Sequence, residues 1–144
     1  MAKRKVWGEM LDTDEILGMI KKEGSEYFAK DRKTKVDVGI YLEQLIEKHG
    51  FTKKDFVRKL NLEESYGRKI FGGQRVPTRK ILLQCAFLLS LDLEETQRLL
   101  EIGQKSRLYP RVRFDAAIIH GIEKKLNLEE INAFLEEIGE DSLL

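Results

Sequence analysis

Apolar residues recur three and four positions apart along most of the chain, the spacing of one face of a helix. No run of β-branched residues alternates every second position, and no Asn-Gly hairpin turn is present. The pattern therefore predicts an all-α chain. Asp12, with Glu15 three residues on, predicts a capped helix reaching about Lys22. Residues 23–36 are polar and lysine-rich and read as a linker or arm. Asp37 opens a helix with Val38, Leu42, Leu45 and Ile46 on one face, and His49-Gly50 closes it, because glycine takes the left-handed conformation without strain. Thr52, with Asp55 three residues on, opens a short helix that buries Phe56, Val57 and Leu60. Asn61 follows, a residue that tolerates left-handed geometry. The next helix runs from near Glu63 to Phe71. Pro77-Thr78 then opens a helix whose apolar residues, from Ile81 to Leu89, cover most of its circumference, so it is predicted to be central and buried.

The last third repeats itself. Leu91-Asp92-Leu93-Glu94-Glu95 matches Leu126-Asn127-Leu128-Glu129-Glu130 at an offset of 35 residues, and Leu99-Leu100 lines up with Phe134-Leu135. Both copies carry a capping box, Asp92 with Glu95 and Asn127 with Glu130. The preceding apolar helices, Ile81–Leu89 and Ala116–Lys124, stand in the same relation, so a helix hairpin is expected twice. Two copies are too few for a solenoid, and the second reads as a layer appended to the first. Tyr109-Pro110 marks the turn between them and a new helix start, since proline is well placed at the first helical position. The expected organisation is an N-terminal helix and arm over 1–36, a core over 37–91 and a C-terminal helical extension over 92–144.

Composition sharpens this picture in two places. The net charge of +1 over 144 residues hides a gradient. Residues 1–37 have 9 basic and 8 acidic side chains, residues 38–91 have 10 and 5, and residues 92–144 have 7 and 12, giving nets of +1, +5 and −5. A basic segment of this kind is a nucleic-acid footprint or a solvated helix surface. The single cysteine, Cys85, lies in an apolar run and has no partner for an intrachain disulfide, which fits a reducing cytoplasm. No signal-peptide apolar core and no apolar run long enough to span a bilayer is seen, so a cytoplasmic protein is expected.

The basic segment holds the informative motif. Two short helices joined by a sharp turn need an abrupt first helix end, close approach at the crossing and polar residues projecting from the second helix. Asn61 supplies the end. Phe56, Leu60, Leu62 and Ile70 supply the apolar contacts, Gly67 faces Val57 at the crossing, and Glu64, Ser65, Arg68 and Lys69 point outward. Residues 50–78 resemble the Xre/Cro, phage-repressor-like, helix-turn-helix family without a gap. Gly50, Phe51, Thr52, Phe56, Leu60, Leu62, Ile70, Gly73, Arg75 and Pro77 follow its pattern. The resemblance extends through Leu91 and implies a five-helix core over residues 38–91. Leu93–Leu100, Tyr109–Arg111 and Leu128–Leu135 are similar to a bacterial subgroup with a helical C-terminal extension. Val57 stands where the family has a small alanine and Gly67 where it has Ile or Val, a swap that keeps the contact volume roughly constant. Asn61 replaces the turn glycine, and Lys53 replaces a glutamine. Glu63 and Glu64 stand where Ser/Thr and a polar or basic residue are usual.

The resemblance implies a DNA-binding regulator of transcription with the second helix of the motif in the major groove of double-stranded DNA. Thr52, Lys53 and Lys54 would then sit on the phosphate backbone, and Glu64, Ser65, Arg68 and Lys69 would face the bases, Arg68 or Lys69 toward guanine. Tyr66, Gln74 and Arg75 would hold phosphates, with Arg79 a further candidate. Each also has a structural reading: Tyr66 packed between helices, Lys53 and Lys54 solvated, Gly72-Gly73 a plain turn. The two glutamates favour the helix dipole yet repel phosphate. They therefore leave a second function open, a protein-interaction module on a helix-turn-helix scaffold with weakened or lost DNA binding.

Chemistry beyond binding has little to build on. His49 sits at a helix end, and His120, in an apolar helix, reads as a hydrogen-bonded core residue. One cysteine and two histidines give no tetrahedral set of soft ligands, so neither metal nor cofactor is expected. The pairs Glu94-Glu95, Glu129-Glu130 and Glu136-Glu137 diverge by about 100° on a helix and serve caps and solubility rather than acid–base work. No enzyme is expected. Leu128, Ile131, Leu135 and Ile138 form a stripe that either packs on the core or pairs with a second copy or a protein partner. Leu143 and Leu144 either dock or fray, and Trp7 is ordered only if it docks.

Overall fold

Every helix from residue 37 onward stops in the same way. The residue after the cap takes a left-handed backbone at Gly50, Asn61, Gly73, Ser90, Gln104, Lys125 and Gly139. The next backbone N–H then reaches five residues back, as Phe51 does to the Ile46 carbonyl at 2.9 Å and Leu126 to Gly121 at 3.0 Å. This ending satisfies orphan carbonyls of the last turn and reverses the chain within a few residues. The computed structural model describes residues 13–25 and 37–144, all of them helix, turn or loop. The expected cap at Asp12, most of the arm over 23–36 and Trp7 lie outside the described residues. The described helices are α1 (Thr13–Glu23), α2 (Val38–Lys48), α3 (Lys53–Lys59), α4 (Glu64–Phe71), α5 (Arg79–Leu88), α6 (Leu93–Ile102), α7 (Arg113–Glu123) and α8 (Leu128–Glu137).

Helix α1 belongs to one compact unit of the chain, and Asp37–Leu144 form another. In the second unit α2 packs on α3, α4 and α6, α5 packs on α6 and α8, and α7 packs on α6 and α8. Tyr41, Leu42, Leu45, Phe56, Leu82, Leu83, Leu99, Leu100, Ile118 and Ile131 are fully buried in one continuous core. Burial pushes the Tyr41 phenol up to about 12, against the opposing pull of the Arg98 guanidinium, which lies 6.0 Å from its ring. Helix α5 is buried at Leu82, Leu83, Cys85, Ala86 and Phe87, as its pattern predicts.

The expected caps form. Asp37, Thr52 and Thr78 each accept from the backbone N–H three residues on, and both capping boxes close in both directions. Three expectations change, the first being that the helix expected to open at Pro110 begins only at Arg113, with Val112 as its cap. Residues 38–91 hold four helices, not five; the fifth that packs on α2 is α6, beyond Leu91. Gly103 at its end lies so close that a Cβ there would sit 2.5 Å from the Leu82 side chain. Leu91 is itself buried in the α5–α6 connector, so a boundary there cuts through the core.

The stripe on α8 packs mainly inward: Ile131 and Leu135 are fully buried, while Leu128 and Ile138 are half-buried. The repeat also runs further than its leucines suggest. The Gln97 amide donates to the Leu108 carbonyl at 3.0 Å and accepts from its N–H at 2.7 Å. Thirty-five residues on, Asn132 accepts from the Leu143 N–H at 2.7 Å. Leu143 is thereby docked, its carbonyl also accepting from the Gln84 amide, while Leu144 stays exposed.

Candidate nucleic-acid interface

The α3–α4 pair is built from the turn outward. Leu60 caps α3, Asn61 turns left-handed at φ 57°, and the Leu62 N–H returns to the Val57 carbonyl. Glu63 then caps α4 without any side-chain hydrogen bond. The helices meet at Gly67, where an added Cβ would lie 2.8 and 3.0 Å from the two Val57 methyls. The expected contact between Gly67 and Val57 is thus made. Gly39 lets α2 approach the far end of α4, where an added Cβ would collide with the Ile70 carbonyl.

With Gly67 and Ile70 turned inward, α4 leaves Glu64, Ser65, Arg68 and Lys69 exposed. Thr52, Lys53 and Lys54 are exposed at the start of α3, where Thr52 Oγ1 is occupied in accepting from the Asp55 N–H at 3.1 Å. Lys53 Nζ lies 3.4 Å from Glu43 and 5.7 Å from the centre of the Phe71 ring. Past α4, Gly72 and Gly73 turn the chain, and the N–H groups of Gln74 and Arg75 both bond the Lys69 carbonyl. Both side chains are exposed, and the Arg75 guanidinium stands 5.9 Å from the centre of the half-buried Tyr66 ring. Tyr66 and Arg75 therefore form a cation–π pair.

Between α3 and α4 lies an open groove of about 570 Å³. Val57, Gly67 and Phe71 form its apolar part, Lys53, Lys54 and Arg68 its basic rim, and Glu64 adds the only carboxylate. Seven of the ten residues expected to touch DNA thus stand on α3 or α4, Thr52 caps α3, and Gln74 and Arg75 follow α4. Glu63 is exposed beside Glu64.

Arg79 is not available for phosphate. Its guanidinium makes a two-pronged bond to Asp115, at 2.9 and 3.0 Å, and donates to the Ser106 and Arg107 carbonyls at 3.1 Å each. Asp115 is 4% exposed, so the arginine is spent neutralising a buried carboxylate. The sequence could not show this, since the partner lies 36 residues away. His120 is also not a core residue. Ile118 and Ile122 face the core, which leaves His120 on the outer surface against Phe134, ring centres 4.9 Å apart. His49 caps α2, with Nε2 3.9 Å from Glu95. Cys85 is fully buried, and burial pushes its thiol far up.

Among the described residues no cluster of His, Cys, Asp or Glu is placed to hold a metal ion, and no helix is long and apolar enough to cross a membrane. Comparison of the chain with protein-family models, with curated proteins and with solved structures gave no significant match.

Proposed function

We propose that α3 and α4 form a helix-turn-helix of the repressor type and that the protein is a transcriptional regulator binding double-stranded DNA, with α4 in the major groove. One observation carries the reading. Helix α4 buries Gly67 and Ile70 and presents Glu64, Ser65, Arg68 and Lys69 from a surface bordered by Lys53, Lys54 and Arg75. Arg68 is the better guanine reader, since its fork matches both acceptors of that base at about 1–3 kcal/mol per bidentate pair. Thr52, Lys53, Lys54, Tyr66, Gln74 and Arg75 serve the phosphates, and Glu64 suits a cytosine amino group.

A salt titration against a genomic duplex pool tests this. Log K is expected to fall against log salt by about 0.9 per phosphate neutralised. Arg68→Ala is expected to flatten base preference, and Lys53→Ala to weaken all sequences alike with a salt slope smaller by about one. Binding weaker than about 100 µM at moderate salt, below the ordinary non-specific range, would remove the reading.

A second reading has its own observation. Glu63 sits exposed at the α4 cap and makes no side-chain cap bond, so hydrogen bonding within the helix does not account for it. A protein-interaction module that had lost DNA would use this acidic end. Changing Glu63 to Ser together with Glu64 to Gln would then strengthen duplex binding. Indifference of that double variant would argue against carboxylate repulsion.

A further inference from the structure

We infer that residues 105–113, from the loop after α6 to the first residue of α7, are a second contact element, gripping the phosphate backbone of duplex DNA beside the site read by α4; the inference rests on the helix-turn-helix reading above. Charge is the first ground. Within a third of the chain whose net charge is −5, this segment holds Lys105, Arg107, Arg111 and Arg113 and no acidic residue.

The internal repeat shows that the fold does not require this charge. Lys105, Ser106, Arg107 and Leu108 correspond, 35 residues on, to Glu140, Asp141, Ser142 and Leu143. Both segments follow a left-handed residue, at Gln104 and Gly139, and both dock a buried leucine through a buried amide, Gln97 or Asn132. One backbone device therefore carries basic residues in one copy and acidic residues in the other.

Placement is the second ground. Arg79, the first residue of α5, holds the carbonyls of Ser106 and Arg107 at 3.1 Å. Asp115, which pairs with that arginine, also accepts from the Tyr109 N–H at 2.9 Å. The loop is thus fastened to the residue that directly follows the 72–78 segment, where Gln74 and Arg75 stand ready for phosphate. Bonds to Arg79, Gln97 and Asp115 hold its backbone from Ser106 to Tyr109, which lowers the ordering cost of binding.

Apart from the buried Leu108, most of its side chains face outward. Tyr109 is 55% and Val112 47% exposed, and Val76 on the adjoining segment is 51% exposed. Arg111 makes no ion pair among the described residues, and Arg107 makes only a surface pair with Glu101 at 3.4 Å, which phosphate can displace. Arg113 is turned to the end of α8, bonding the Ile138 carbonyl at 2.8 Å and lying 3.3 Å from Glu140, and is not part of the contact. Arg107 and Arg111 offer planar forks to phosphate oxygens and Tyr109 a hydroxyl donor.

The test uses the full chain and the genomic duplex pool, comparing wild type with Arg107→Ala/Arg111→Ala, Arg107→Lys/Arg111→Lys and Lys53→Ala/Arg68→Ala. The alanine pair in the loop is expected to lower affinity for every sequence by roughly tenfold and to reduce the salt slope by about two, with base preference kept. The lysine pair is expected to retain most of the slope, which separates charge from a folding defect. Wild-type affinity and slope in the loop alanine variant, with binding still lost in Lys53→Ala/Arg68→Ala, would overturn the loop contact and leave the helix-turn-helix reading standing. Loss in the loop variant alone would support the loop contact and overturn the role of α4. Absence of any duplex binding by wild type would remove both.

Discussion

At the scale of single residues the crossing of α3 and α4 makes the sharpest demand. A methyl group at position 67 would press on both methyls of Val57, and a β-branched side chain has little rotamer freedom with which to yield. Overpacking of this kind costs about 1–3 kcal/mol, and the gain of alanine over glycine in a helix returns about 1 kcal/mol. Gly67→Ala is therefore expected to destabilise the protein by up to about 2 kcal/mol in urea unfolding. Val57→Ala alone removes buried methyl groups and also destabilises. The double variant is expected to be more stable than the sum of the two single effects, because the clash disappears with the valine. Strict additivity would mean that the contact does not set the crossing. This pair was legible in the sequence because its members stand at opposite positions of a motif of fixed register. Arg79 and His120 were misread for the converse reason. Their surroundings come from remote parts of the chain, and local pattern does not say which side of a helix a long-range partner covers.

At the scale of elements, one connector recurs. His49–Thr52, Leu60–Glu63, Leu89–Asp92 and Lys124–Asn127 each place a helix cap, a left-handed residue, an apolar residue and a new helix cap in succession. Glycine or asparagine betrayed the turns at 50, 61 and 73. Ser90, Gln104 and Lys125 did not betray theirs, since a residue with a Cβ is disfavoured there by about 1–2 kcal/mol. What holds the connectors at Ser90 and Lys125 is the apolar residue that follows, Leu91 or Leu126, together with the capping box beyond it. Lys125 is exposed at φ 56°. Lys125→Gly is therefore expected to stabilise the protein by about 0.5–1 kcal/mol after the entropy cost of glycine, read as a higher urea midpoint at unchanged slope. Asp92→Ala, which opens one capping box, is expected to cost about 1 kcal/mol in the same measurement. A neutral result at Lys125 would mean that the left-handed turn carries no strain.

At the scale of the molecule, surface and interior divide the chain differently. Charge changes sign near residue 91, the position at which the helix-turn-helix resemblance ended the core. Burial shows no boundary there: Val38, Leu82, Leu99 and Leu100 belong to one interior, and Gly103 sits against both Val38 and Leu82. Surface charge reports on partners and a motif resemblance ends where its own pattern ends, so neither fixes where a core ends, which the buried leucines do. The consequence is testable through Cys85, which lies fully buried on α5. In the intact chain its thiol is expected to react with a thiol reagent only as fast as the unit opens, because the deprotonated form is suppressed by burial and access requires unfolding. A chain ending at Leu91 lacks α6, so part of the apolar surface of α2 and α5 faces water. It is expected to label at once and to show no cooperative urea transition. A chain ending at Gln104, which keeps α6, is expected to recover partial protection, with full protection returning only when α7 and α8 cover α5 and α6. A protected thiol and a sharp transition in the chain ending at Leu91 would instead make residues 37–91 self-sufficient, and α6 to α8 would then be a separable layer on a complete core.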